Sequence, residues 1–265
     1  MLEQKFNEIL EKPVAELSII TNLIDFLTLN PSLLKIANGK QHDLLPIWER
    51  EKRDNRFSVK PIVALEGKCI FSPVAMNNVL TSWKSGITEW YLPYEIGLSK
   101  LTSVLKQWKK RYEDEMVQDI AQLFRDAKFD LIVPEADLVH RFPKDNYPEE
   151  LGDYDVIAIS KSRHEIWIIE SKVLQKVGSI YEDQMQQKSF FYQHKDDEKF
   201  QRRIDYMLNN TGKVLDSFGV EKSQFRVVPY MVTNKLFASR YKNIAFPIIT
   251  FSELKQLITK KSTTC

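Results

Sequence analysis

The chain is short of cysteine, of net charge and of long apolar runs, and each shortage removes a class of protein. Only Cys69 and Cys265 occur, far apart in sequence. Neither a disulfide framework nor a cysteine-based zinc site can be built from them. A reducing, cytoplasmic setting is the plain expectation. Histidine is sparse too, with four in the chain. His140, His164 and His194 share no metal-ligand spacing and read as surface or loop residues. No apolar run approaches the roughly 18 residues of a membrane helix. Glu3, Glu8 and Glu11 are wrong for a secretory signal, so no membrane partner is expected. A formal charge of +2 announces no whole-molecule attraction to nucleic acid, although a basic groove on one face remains compatible with it. Eight glycines and eleven prolines in 265 residues exclude a collagen-like or low-complexity chain.

What is there is an ordinary globular composition, 43% hydrophobic and 28% charged, long enough for one large core or two modest ones. Residues 1–56 read as helical, with Phe6, Ile9, Leu10, Leu17, Ile20, Ile24 and Leu27 at helical spacing and a break at Asn30-Pro31. Pro61–Leu65 and Cys69–Phe71 flank Glu66-Gly67-Lys68 as two short strands around a glycine turn, and a helix follows over Val74–Trp83. From Leu101 the pattern changes. A helix over Leu101–Asp126 carries the apolar stripe Tyr112, Met116, Ile120 and Leu123. Strands are expected at Leu131–Val133, Asp155–Ser160, Glu165–Val173 and Phe225–Thr233, with a long helical region, Ile180 to about Leu208, between the last two. A short strand over Phe246–Thr250 leads through Ser252, a candidate N-cap, into a terminal helix. This order gives an α/β fold over residues 101–265, a mixed central sheet with helices on both faces. Residues 1–100 form a mainly helical accessory domain with a small β-hairpin, whose role could be substrate recognition, homo-oligomerisation or docking into a larger assembly.

Chemistry concentrates in one hairpin. Side chains alternate faces along a strand, so Asp155, Ile157 and Ile159 share a face, as do Ile166, Ile168, Glu170 and Lys172 on the next strand. A four-residue loop, Lys161–His164, sets Ser160 opposite Glu165 and, counting inward, Asp155 opposite Glu170. Opposed cross-strand Cβ atoms lie about 4.5–5.5 Å apart. Two carboxylates that close repel, and a divalent cation between them resolves the conflict. All-oxygen ligands favour Mg²⁺ or Mn²⁺ over Zn²⁺. Lys172, two residues beyond Glu170 on the same face, can orient or help deprotonate an attacking water, or stabilise negative charge on a phosphate. The other faces carry Val156, Ala158, Trp167 and Ile169, so the hairpin is expected to be buried on both sides. The plainer reading of these acids is a surface ion-pair cluster where each strand leaves the core.

These residues resemble the PD-(D/E)XK nuclease superfamily, the fold of restriction endonucleases, over roughly residues 105–255. Its core runs helix, three strands, helix, strand. Its motif sets an acid at the start of the second core strand and acid-x-Lys at the end of the third. The resemblance makes Asp155 and Glu170 metal ligands, with the backbone carbonyl of Ser171 often joining them, and Lys172 the catalytic lysine. A glutamate from the first helix maps onto Glu113, from the pattern Tyr112, Glu113, Met116 and Ile120. A glutamine after the lysine maps onto Gln184, where Gln186 and Gln187 crowd the signal. No proline precedes the first acid, and Asp153 is an alternative first ligand on the same face. The implied activity is Mg²⁺-dependent hydrolysis of nucleic acid, DNA more than RNA, in defence or repair. A non-catalytic binding or structural module with the same fold is the alternative. Candidate phosphate contacts are Lys109, Lys110 and Arg111 on the first helix, and Lys188, Arg202 and Arg203 on the later one.

Overall fold

The computed structural model describes residues 17–29, 36–37, 40–41, 60–90, 99–138, 147–175, 180–221, 224–237 and 243–262. Among them no helix is long and apolar enough to cross a membrane. The chain is α/β and divides into two compact units, residues 1–105 with 176–181, and residues 106–175 with 182–265.

In the first unit, helix α1 (Leu17–Leu27) runs into β1 (Thr28–Leu29). The helical expectation for residues 1–56 therefore holds for only part of the segment that is described. The helix ends three residues ahead of Asn30, and the Thr28 hydroxyl just beyond it donates to the Ile24 carbonyl at 2.6 Å. The chain then pairs in parallel with β4 (Ile62–Leu65), Thr28 opposite Ile62. Two short strands, β2 (Ile36–Ala37) and β3 (Lys40–Gln41), pair antiparallel. The expected hairpin forms between β4 and β5 (Lys68–Phe71). Glu66 and Gly67 make its turn at φ of 49° and 73°, the left-handed geometry a two-residue hairpin turn needs. Helix α2 (Pro73–Thr88) is capped by Ser72, whose hydroxyl accepts the Ala75 N–H, and has Pro73 at its first position. Leu27, Ile62 and Val79 form the core here. The charged run Trp48–Lys52, Arg53 and Arg56 lie outside the described residues, as does His140.

The second unit is built on a five-stranded sheet in the order β10-β9-β8-β7-β6. Its strands are β6 (Leu131–Ala136), β7 (Tyr154–Ser160), β8 (Glu165–Lys172), β9 (Arg226–Thr233) and β10 (Ile248–Thr250). The pairs β6–β7 and β7–β8 are antiparallel, while β8–β9 and β9–β10 are parallel, so the sheet is mixed. The β7–β8 register is the expected one, Ser160 opposite Glu165 and Ile157 opposite Ile168, closed by the turn 161–164. Val156 to Ile159 and Ile166 to Ile169 are all fully buried, so the hairpin is covered on both faces.

Two different helices supply that cover. Helix α3 (Ser99–Asp126) lies over the Trp167 face, where the Phe124 and Trp167 rings meet edge to face at 5.5 Å. The Ile157, Ile159, Ile166 and Ile168 face packs on Phe200, Ile204 and Met207 of a later helix, α5 (Asp196–Ser217). The single helical region expected over 180–208 is instead three pieces. Helix α4 (Ile180–Lys188) passes into one π-helical turn, Ser189–Gln193, in which the His194 N–H reaches the Ser189 carbonyl. Lys195, left-handed at φ 52°, then restarts the chain as α5, which runs on to Ser217. The π turn carries consecutive Phe190 and Phe191, and both are buried in the core. Helix α6 (Phe251–Ser262) is capped by Thr250, not Ser252. The Thr250 hydroxyl accepts the Glu253 N–H at 3.2 Å while Glu253 accepts the Thr250 N–H at 2.7 Å. That reciprocal capping box fixes the helix start two residues earlier than expected.

Candidate active site

The antiparallel β7–β8 ladder runs as far as Val156 opposite Ile169. One step further the strands part. There Asp155 does not continue the ladder through its main chain; its carboxylate Oδ2 accepts the Ser171 N–H at 2.6 Å. Glu170, the next position on β8, is 4% exposed, and its charge acts on Asp155. The two acids therefore open onto the same side of the sheet, the side covered by α5.

Two cations answer them. Lys172 Nζ is 3.0 Å from Glu170 Oε1 and 3.3 Å from Asp196 Oδ1. The Arg203 guanidinium bonds Glu170 Oε2 through Nη1, and its Nε donates to the Leu151 carbonyl at 2.8 Å. Asp196 and Arg203 are seven residues apart on α5, which puts them on one helix face two turns apart. One helix thus supplies both the counter-ion of Lys172 and the counter-ion of Glu170. The Tyr154 hydroxyl, on the strand that carries Asp155, donates to the Arg203 carbonyl at 2.8 Å and ties strand to helix. Beyond Lys172 the Asn234 side chain bonds both the N–H and the C=O of Leu174, at 2.8 and 3.2 Å, fixing how the chain leaves β8.

The electrostatics follow from burial and this charge set. Burial first, and then the Glu170 charge, push the Asp155 carboxyl up to about 7, against the Ser171 N–H, Lys172 and Arg203. For Lys172, burial alone works to lower the ammonium pKa, but Glu170 and Asp196 outweigh it and hold the group above its ordinary value. Lys172 is therefore charged at neutral pH. Of the roles open to it, orienting a water or stabilising a developing negative charge fits; removing a proton does not.

Other expected site residues fall elsewhere. Glu113 lies on α3, over the opposite face of the sheet, and pairs with Lys109 at 3.3 Å. Its stretch of helix is at the same end of the sheet as Asp155: neighbouring Lys110 feels Glu135, one residue before Ala136, which pairs with Tyr154. Asp153 precedes β7 and is exposed. Gln184 is exposed, whereas Gln187 is 1% exposed and donates to Asp183 at 3.1 Å. Lys109 and Lys110 are engaged with the carboxylates one turn on, Lys110 with Asp114 at 2.7 Å. Arg111 and Lys188 are exposed. Arg202 is exposed too and lines an open cavity of about 580 Å³ with Lys195, Gln201, Asn243 and Phe246. Arg203 differs from the rest: its side chain is 11% exposed and belongs to the acidic centre. His164 and His194 are exposed loop residues, as expected.

Sequence reasoning missed Asp196 and the inward orientation of Arg203. The available signal was their seven-residue spacing on a helix whose apolar positions Phe200, Ile204 and Met207 lie between and beyond them.

No protein-family model, curated protein or solved structure matches this chain.

Among the described residues no group of three or more His, Cys, Asp or Glu is arranged to hold a metal ion. The donors that do converge are two carboxylates, with the main chain of Ser171, the residue after Glu170, bonded to Asp155. Mg²⁺ is commonly held by one or two carboxylates with water and substrate phosphate completing its shell, so this set fits that ion better than a closed all-protein cage.

Proposed function

We propose that the chain is a Mg²⁺- or Mn²⁺-dependent phosphodiesterase acting on nucleic acid, DNA more than RNA, with a restriction-endonuclease-like core over residues 106–265. The observation that carries this reading is a pair of carboxylates, half-buried Asp155 and buried Glu170, meeting where two strands part, with a charged lysine two residues beyond Glu170. The order helix, three strands, helix, strand supports it. Asp155, Glu170 and the Ser171 carbonyl would hold the cation, which supplies Lewis-acid activation of water and neutralises phosphate charge when bound. Lys172 contributes a fixed positive charge beside the reacting phosphate and orients the attacking water. Glu113 enters this reading as a further ligand only if α3 presents it around the end of the sheet. Arg111, Lys188 and Arg202 are the exposed cations available to track a phosphate backbone.

The test is purified protein on single- and double-stranded DNA and RNA, with Mg²⁺, Mn²⁺ or chelator. Asp155→Ala, Glu170→Ala and Lys172→Ala should each lower metal-dependent cleavage by about 10²-fold or more, the scale of losing one transition-state electrostatic contact. Full activity in a folded Lys172→Ala protein overturns the mechanism.

One observation favours a second reading, a non-catalytic module. Both Glu170 oxygens already have cationic partners, so the cluster is internally satisfied without a metal. Titration separates the two: a scaffold binds no Mn²⁺ at this position.

A further inference from the structure

Arg203 occupies an unusual place for a residue expected to lie on a nucleic-acid-facing surface. It is held at three points. Its carbonyl accepts the Tyr154 hydroxyl at 2.8 Å, its Nε donates to Leu151 at 2.8 Å, and its Nη1 bonds Glu170 Oε2. Only the third contact reaches the acidic pair. The other Glu170 oxygen faces Lys172, which has a second carboxylate, Asp196, at 3.3 Å. A divalent cation shared by Asp155 and Glu170 therefore meets a Glu170 whose two oxygens each already face a cation. A guanidinium keeps its charge at every working pH, so this competition is not relieved by losing a proton. Glu170 is also buried and poorly solvated, which makes an occupied Oε2 hard for a second positive charge to approach.

We infer that Arg203 is a resident counter-ion that competes with the divalent cation for Glu170, so that metal loading requires the Nη1 contact to open while the Nε–Leu151 contact acts as a pivot. This rests on the phosphodiesterase reading above. It makes Arg203 a positioning residue that sets how readily the site loads, by a contact on the carboxylate rather than on substrate.

The experiment is Mn²⁺ binding to the full chain, followed by electron paramagnetic resonance or calorimetry without nucleic acid. Arg203→Gln removes the competing charge and should bind Mn²⁺ about tenfold more tightly than wild type. Arg203→Lys keeps the competing charge and should not show the tighter binding of Arg203→Gln. A merely structural arginine predicts the reverse, weaker binding in both variants as the site loosens, and that result overturns the inference. Equal affinity in wild type and Arg203→Gln also overturns it. No Mn²⁺ binding to any of the three overturns the metal-site reading itself. Should Arg203→Gln fail to fold, arginine ¹⁵N resonances of the wild-type protein decide. Mg²⁺ should shift or broaden the Arg203 Nη signals and leave Nε in place; an unmoved Nη under saturating Mg²⁺ sinks the inference.

Discussion

At the scale of residues, Asp155 concentrates the conflict in the site. Its folded-state pKa is raised to about 7 by burial and by Glu170, while an unfolded aspartate ionises near 3.9. Between those values the folded chain holds a proton that the unfolded chain releases. The associated stability is fully present below the unfolded pKa, falls as pH rises, and is gone above about 7. Asp155→Asn removes the penalty and can still accept the Ser171 N–H. In metal-free buffer this variant should be more stable than wild type by about 1–3 kcal/mol at pH 8, with the gain shrinking towards pH 4. Thermal or urea melts at several pH values read it out. A variant less stable than wild type at pH 8 would show that the carboxylate is held by its partners rather than strained. The same substitution should abolish cleavage, so stability and activity move in opposite directions at one position.

At the scale of elements, ends and junctions decide more than interiors. The interiors of β7 and β8 are uninterrupted apolar runs, and their register follows from a four-residue turn and the need to bury both faces. Where the strands part, hydrogen bonds pass from the ladder to side chains: Asp155 takes the Ser171 N–H and Asn234 takes both main-chain groups of Leu174. The start of α6 obeys the same logic, with Thr250 and Glu253 capping each other and the Glu253 carboxyl held below its ordinary value by the bonds from Thr250. Thr250→Ala should lower stability by about 1 kcal/mol, the usual worth of an N-cap side chain, whereas Ser252→Ala should be nearly neutral. Comparable losses from both in a denaturant melt would return the cap to Ser252.

At the scale of the whole molecule, the two compact units differ in what they bury. In the first, the described core is Leu27, Ile62 and Val79, and β5 is exposed along its whole length. In the second, the sheet face under α5 alone gathers Ile157, Ile159, Ile166, Ile168, Phe200, Ile204 and Met207. Local opening is easier where few apolar contacts must be broken. Amides of β4 and β5 should therefore exchange with deuterium well ahead of those of β7 and β8, by mass spectrometry on the intact protein. Equal protection of the two hairpins would mean that both units unfold as one.

The sequence by itself determined what short-range rules can carry. Alternation fixed which side chains share a strand face, loop length fixed the β7–β8 register, and the acid and acid-x-Lys spacing brought Asp155, Glu170 and Lys172 to one end of one hairpin. The glycine turn at Glu66-Gly67 was equally legible, because its backbone geometry is local. The tertiary structure decided the rest. Helical periodicity could not say that α5, rather than α3, covers the acidic face, so Arg203 read as a surface residue although it reaches Glu170. Nor could it foresee that Thr28 would leave a helical pattern to pair with Ile62, a contact between residues far apart in sequence. The reason is common to these cases: a local pattern specifies which face of an element is apolar, and only packing specifies which neighbour that face meets.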